Sequence, residues 1–259
     1  MSTQANLKVP SGDTNIVQRV GGLAGIVYGV AAVGFTATIG SAIVRSGFTP
    51  NDFSNSAKTV QFFGVNRAVL LPVHLGILFA AASALVLVYA LSRSFRFWAP
   101  ELSMLASLFG YAGFLLNALV FTIEALYINY LGNSWASVPG VAEQATPAFS
   151  LVTQAINPFS LMCVSVWVCL MSLAAWRGNI LPRLLAYLGL VVTIIATISA
   201  VASYFGPALN PLTTVAVLLQ AIWLIWSGVV LIRGPVLLAQ EDRHEDEQHA
   251  QARLTVERS

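Results

Sequence analysis

Charged side chains are the scarcest feature of this chain: they make up 9% of its 259 residues, while 57% are hydrophobic. Soluble domains carry about a quarter charged residues. One water-exposed fold could not enclose so much apolar surface in a single core, so the composition excludes an ordinary soluble domain. Cysteine is nearly absent. Cys163 and Cys169 fall in one apolar stretch, which excludes a disulfide framework and a CxxC metal or redox site.

Lysine occurs only at positions 8 and 58, outside every apolar stretch, so a retinal-type Schiff base has no partner. No aspartate lies in those stretches, which removes the ligands of a Mg²⁺–diphosphate site. A single histidine, His74, lies within them, too few for bis-histidine haem ligation. P-loop, HExxH and GxSxG motifs are missing. No basic run interleaved with aromatics speaks for nucleic acid. No metal site and no cofactor are therefore expected. His244 and His249, five residues apart in the tail, make only a weak metal-ligand pattern.

What is present is length and greasiness. A helix needs about 20 apolar residues to cross the hydrocarbon core, and six stretches qualify: about 21–44, 68–91, 101–123, 156–176, 184–205 and 212–232. The first is too long for a signal-peptide core and reads as a retained span. Gly and Pro punctuate the breaks, as in Ser46-Gly47 to Pro50-Asn51 and Gly206-Pro207 to Asn210-Pro211. The expected architecture is an all-α integral membrane protein, a bundle of about six transmembrane helices. A polar leader over 1–19 precedes the helical domain over 20–233, and a charged tail over 234–259 follows it.

Positive charge orients the bundle. With the N-terminus inside, the cytoplasmic flanks hold Lys8, Arg19, Arg93, Arg96, Arg177, Arg183 and Arg233. The outer flanks hold Arg45, Lys58 and Arg67. Seven against three predicts both termini in the cytoplasm and a multi-pass protein of the cell inner (plasma) membrane. The bilayer is then the obligatory partner. Gly21, Gly25 and Gly29 line one face of the first helix; that face either packs inside the bundle or forms a seam with a second copy or another membrane protein. Internal packing is the favoured reading.

Polar groups inside spans are costly, so each is a candidate site. Arg67 and His74 stand seven residues apart, nearly two turns, and project from one face of the second helix. Asn117 and Glu124 repeat that spacing on the third. All four fall toward the outer side, and they are expected to line an outward-facing polar pocket. Arg67 suits an anionic group, and Glu124 with His74 suits proton relay. The competing reading is that they satisfy one another and only specify packing. Gln220 is expected to make an interhelical hydrogen bond, and Pro72 to sit near the first turn of the second helix.

Three segments resemble a known family: QRVGGLAGIVYGV at 18–30, FSNSAKTVQFFGVNRAVLLPVHLG at 53–76 and ILPRLLAYLGLVV at 180–192. Together with the closing QAIWLIWSGVVLIRG, they resemble the bacterial DUF4386 family of multi-helix membrane proteins, whose function is unknown. The resemblance covers most of residues 18–234 and implies architecture only. The expected function is that of a non-enzymatic membrane protein binding a small or lipidic ligand in the outward pocket, or a subunit of a membrane assembly. The alternatives are a membrane-embedded enzyme using Glu124 and His74 as acid and base, and a small transporter component.

Overall fold

The computed structural model describes residues 11–49, 52–53, 55–96, 99–134, 137–178, 181–205 and 211–233. Among these there are six α-helices and no strand: α1 (Ser11–Ser46), α2 (Ser56–Phe95), α3 (Pro100–Ser134), α4 (Pro139–Gly178), α5 (Arg183–Phe205) and α6 (Pro211–Arg233). All six contain a segment long and apolar enough to cross a membrane. Helices are what lipid demands, because each satisfies its own backbone polar groups where no water can do so. Residues such as Leu23, Phe79, Leu108, Leu126 and Ile194 project outward without a protein neighbour to cover them, as a lipid-facing surface requires.

The helix ends follow from local chemistry. α1 stops at Gly47, whose φ of 63° is the left-handed conformation that glycine adopts without a Cβ penalty. The amide of Phe48 donates to the Ile43 carbonyl at 3.2 Å and that of Gly47 to Val44 at 3.4 Å, satisfying two carbonyls of the last turn. Asn55 caps α2, its side chain accepting from the Lys58 amide at 3.2 Å. Proline opens α3, α4 and α6, where its missing N–H costs nothing.

Consecutive helices run antiparallel, and the ring closes where α6 returns to α1. Contacts fix each register: Gly21 against Ala90, Ser92 against Ser103, Gly113 against Val164, Ser172 against Gly189, Ser199 against Thr213, and Gly22 against Gly228. The glycine face of α1 is occupied by the chain's own helices. A Cβ on Gly22 would lie 2.5 Å from the Gly228 carbonyl oxygen, one on Gly25 3.0 Å from that of Leu224, and one on Gly29 2.8 Å from that of Ala221. Gly21 abuts Ala90 of α2. This is packing inside the bundle, not a free seam.

Aromatic rings fill the middle of the ring of helices. Tyr28 of α1 meets Phe114 of α3 edge-on at 5.1 Å, Phe114 meets Trp167 of α4 at 5.5 Å, and Trp167 meets Trp223 of α6 at 5.5 Å. Trp167 and Trp223 are completely enclosed. Gly110 and Gly189 leave the space they need: a Cβ on Gly110 would lie 2.8 Å from Trp167 Cδ1, and one on Gly189 2.7 Å from Trp223 Nε1. This aromatic layer divides the interior into two ends.

Two expectations fail on helix length. The segment between the third and fourth apolar stretches, 124–155, is helical up to Ser134 and again from Pro139. Pro72, placed near a first turn, lies well inside α2, because that helix starts twelve residues before the apolar stretch does. There it deprives the Ala68 carbonyl of its usual amide partner. α2 and α4, at 40 residues each, rise about 60 Å, twice the hydrocarbon thickness. The excess lies where α1 joins α2. Near the end of α5, Tyr204 reaches the Ala155 carbonyl, so the α4 residues before it project past α5. There Val60, Tyr127, Leu131 and Ala142 form a small core with Phe63 and Phe149, and the Tyr127 hydroxyl donates to Thr146 Oγ1 at 2.9 Å.

Candidate functional site

The register of α2 against α3 decides where the candidate residues meet. Antiparallel pairing places His74 opposite Glu124, with Nε2 3.4 Å from Oε2. The other ring nitrogen, Nδ1, donates to the Leu70 carbonyl at 2.7 Å, one turn earlier on the same helix. A carbonyl only accepts, so this bond assigns the Nδ1 hydrogen and turns Nε2 to the carboxylate. Phe35 of α1 stands edge-on to the imidazole at 4.9 Å and to Phe121 at 5.3 Å, closing the side toward α1. The His74 side chain is 4% exposed and that of Glu124 29%.

Two turns away, toward the α1–α2 corner, Arg67 meets α3 again. Its Nη2 donates to Asn129 Oδ1 at 2.5 Å. The guanidinium stem lies over Gly132, where any Cβ would collide with Arg67 Cδ and sit 2.8 Å from Nε. Among the described residues no carboxylate forms an ion pair with Arg67; the two ion pairs are Asp52–Lys58 and His74–Glu124.

Asn117 lies two turns deeper on α3 and turns to α1, where its Nδ2 donates to the Tyr28 hydroxyl at 3.2 Å. It therefore sits on the aromatic layer. The four residues expected to line one pocket thus resolve into a joined pair, His74 and Glu124, flanked by Arg67 toward the α1–α2 corner and by Asn117 toward the aromatic layer. Arg67, His74 and Glu124 lie on the α1–α2-corner side of the aromatic layer, along the seam between α2 and α3, and Asn117 lies at the layer itself. Gln220 is buried on α6, one turn from Trp223, without a hydrogen bond to another helix among the described residues.

Asn129, Gly132, Tyr28 and Phe35 escaped the sequence reading. Asn129 and Gly132 had a usable signal: once His74 is set against Glu124 in an antiparallel pair, Arg67 must face residues 129–132. Tyr28 and Phe35 had none, being aromatic residues in an apolar helix.

The opposite end of the bundle is held by hydroxyls. The Ser92 hydroxyl lies 3.0 Å from that of Ser103 and 2.7 Å from that of Ser107, between α2 and α3, and Gln18 Nε2 donates to Ser94 Oγ at 3.3 Å. These bonds join helices and carry no ionisable group. No group of three or more His, Cys, Asp or Glu side chains suited to a metal occurs among the described residues; His244 and His249 lie outside them.

Outside the spans, Asp52 accepts from Lys58 Nζ at 2.5 Å and from the Thr49 amide and hydroxyl at 2.8 and 2.6 Å. Those hydrogen bonds, Lys58's first, hold its carboxyl down at about 2. The loop between α1 and α2 is thereby tied to the first turn of α2.

No curated protein and no solved structure matches the chain significantly. A family model described as a domain of unknown function, DUF4386, matches residues 23–234, from about a third of the way along α1 to the end of α6. This multi-pass membrane protein belongs to the DUF4386 family.

Proposed function

We propose that the protein sits in the cell inner membrane with both termini in the cytoplasm and binds an anionic small or lipidic ligand at the outward end of the α2–α3 seam. Arg67 is the anion-holding residue. The observation that carries this reading is its pairing: a permanently charged guanidinium at the end of a membrane-crossing segment, with an amide and no carboxylate as partner among the described residues. A guanidinium presents five donors, and Asn129 uses one of them, leaving a fork suited to a phosphate or carboxylate. His74 and Glu124 stand two turns along the same seam, within reach of a ligand that lies along it.

The orientation rests on the excess of Lys and Arg at the end holding Arg93, Arg96, Arg177, Arg183 and Arg233. Native mass spectrometry of the detergent-purified chain, with added phosphatidylglycerol or phosphatidylcholine, tests the binding. Retention of the anionic lipid by the native chain, and its loss in Arg67→Gln, is the expected result. Equal retention of both lipids by both proteins contradicts the reading.

The contact between His74 and Glu124 favours a second reading, in which they act as acid and base of a membrane-embedded enzyme or carrier. Conversion or translocation of a bound ligand, abolished in Glu124→Gln with binding intact, distinguishes it from the first.

A further inference from the structure

We propose that His74 and Glu124 form a proton-binding site within the membrane, occupied by one proton held between Nε2 and Oε2 and exchanged with water through the Glu124 carboxylate. The proposal goes beyond the anion-binding reading and stands without it.

Leu70 O cannot donate, so the imidazole keeps its hydrogen on Nδ1. Without a further proton, Nε2 presents a lone pair to a carboxylate oxygen 3.4 Å away, and two acceptors face each other in a low-dielectric setting. One added proton removes the conflict, whichever atom carries it. Imidazolium with carboxylate and imidazole with carboxylic acid are both neutral overall. Losing that proton leaves a net negative charge in the membrane, and gaining a second leaves a net positive one; both are penalised. The singly occupied pair is the one state with no net charge.

The surroundings keep the count at one. From α1 the pair meets Phe35, with Tyr28 two turns further on and hydrogen-bonded to Asn117. From α2 the nearest charge is Arg67, about 10 Å along the helix. From α3 there is Glu124 itself. On α4 the carboxylate at this end is Glu143, on the turn before Thr146, which pairs with Tyr127 and so lies toward the projecting end. No third charged group forms an ion pair with His74 or Glu124 among the described residues. Exchange goes through Glu124 because His74 is enclosed by Leu70 and Phe35, whereas 29% of the Glu124 side chain is left uncovered by the protein. When the proton leaves to water, Arg67 is the nearest cation to balance the residual charge.

The test is a pH titration by ¹⁵N-histidine NMR of the full chain in nanodiscs, in a His244→Gln, His249→Gln background so that His74 alone reports. The expected result is that Nδ1 stays protonated throughout while Nε2 gains and loses its proton. In Glu124→Gln, which removes the carboxylate facing Nε2, the Nε2 signal differs from that of the native chain at the same pH. Loss of the proton from Nδ1 in the native chain overturns the proposal, and so does an identical Nε2 titration in Glu124→Gln. The tautomer is read on the native chain, so the test survives a variant that fails to fold.

Discussion

Gly132 of α3 lies beneath the stem of Arg67 so closely that no side chain fits between them, and this contact aims the guanidinium at Asn129 one turn earlier on the same helix. Gly132→Ala is therefore expected to push Arg67 aside and break its bond to Asn129. The stem is flexible, so the cost in stability is small, under about 1 kcal/mol, comparable to one interhelical hydrogen bond in a membrane. The cost in retention of anionic lipid is larger. Thermal unfolding and native mass spectrometry of the same sample separate the two effects.

Where α1 crosses α6 the approach is backbone on backbone, and nothing there can give way. Gly22→Ala is expected to lower stability by about 1–3 kcal/mol, the range for overpacking a closed contact. Gly34→Ala, on the same helix but with nothing within 4 Å of its Cβ position, leaves stability unchanged or slightly raised. Midpoints of thermal unfolding in detergent, compared side by side, check the contrast.

Trp167 links Phe114 to Trp223 across the centre of the bundle. Trp167→Ala opens a cavity there and is expected to cost about 3–5 kcal/mol. An equal fall in Tm for Trp167→Ala and for the exposed Trp176→Ala would remove the aromatic layer from the account.

In the loop before α2, Asp52 has its carboxyl lowered from an ordinary 3.8 to about 2 by Lys58 and Thr49. A depressed carboxylate contributes its stabilisation above the unfolded value and loses it as pH falls through the folded one. The tie between this loop and α2 is thus expected to hold at neutral pH and to fail progressively below 3.8, toward 2. Lys58→Ala moves the carboxyl back toward 3.8, as a ¹³C titration of Asp52 reads directly.

How much of this was legible in the sequence differs between spans and seams. The apolar stretches located six helices because lipid burial and hydropathy measure the same thing. They could not show that α2 begins at Ser56 or α4 at Pro139, because those projecting turns bury one face against helices and expose the other. A hydropathy reading treats Glu143, Gln144 and Gln154 as loop, although here they continue a helix. The shared face of Arg67 and His74 followed from helical periodicity alone, as did that of Asn117 and Glu124. Which residue met which did not follow, because it depends on helix register. Asn117 turned to Tyr28 of α1 and not to the His74–Glu124 pair, a choice of partner that spacing along α3 does not fix.

The central functional claim is that Arg67 holds an anionic group, and its affinity for one is the direct measurement. Equilibrium binding of phosphatidylglycerol in nanodiscs and of soluble glycerol phosphate, each to native and Arg67→Gln protein of matched thermal stability, separates a lipid headgroup from a free anion. The account predicts that native protein binds at least one of these ligands, and that this affinity falls at least about tenfold, 1.4 kcal/mol, in the variant. Affinities for both ligands that do not change when the guanidinium is removed contradict it.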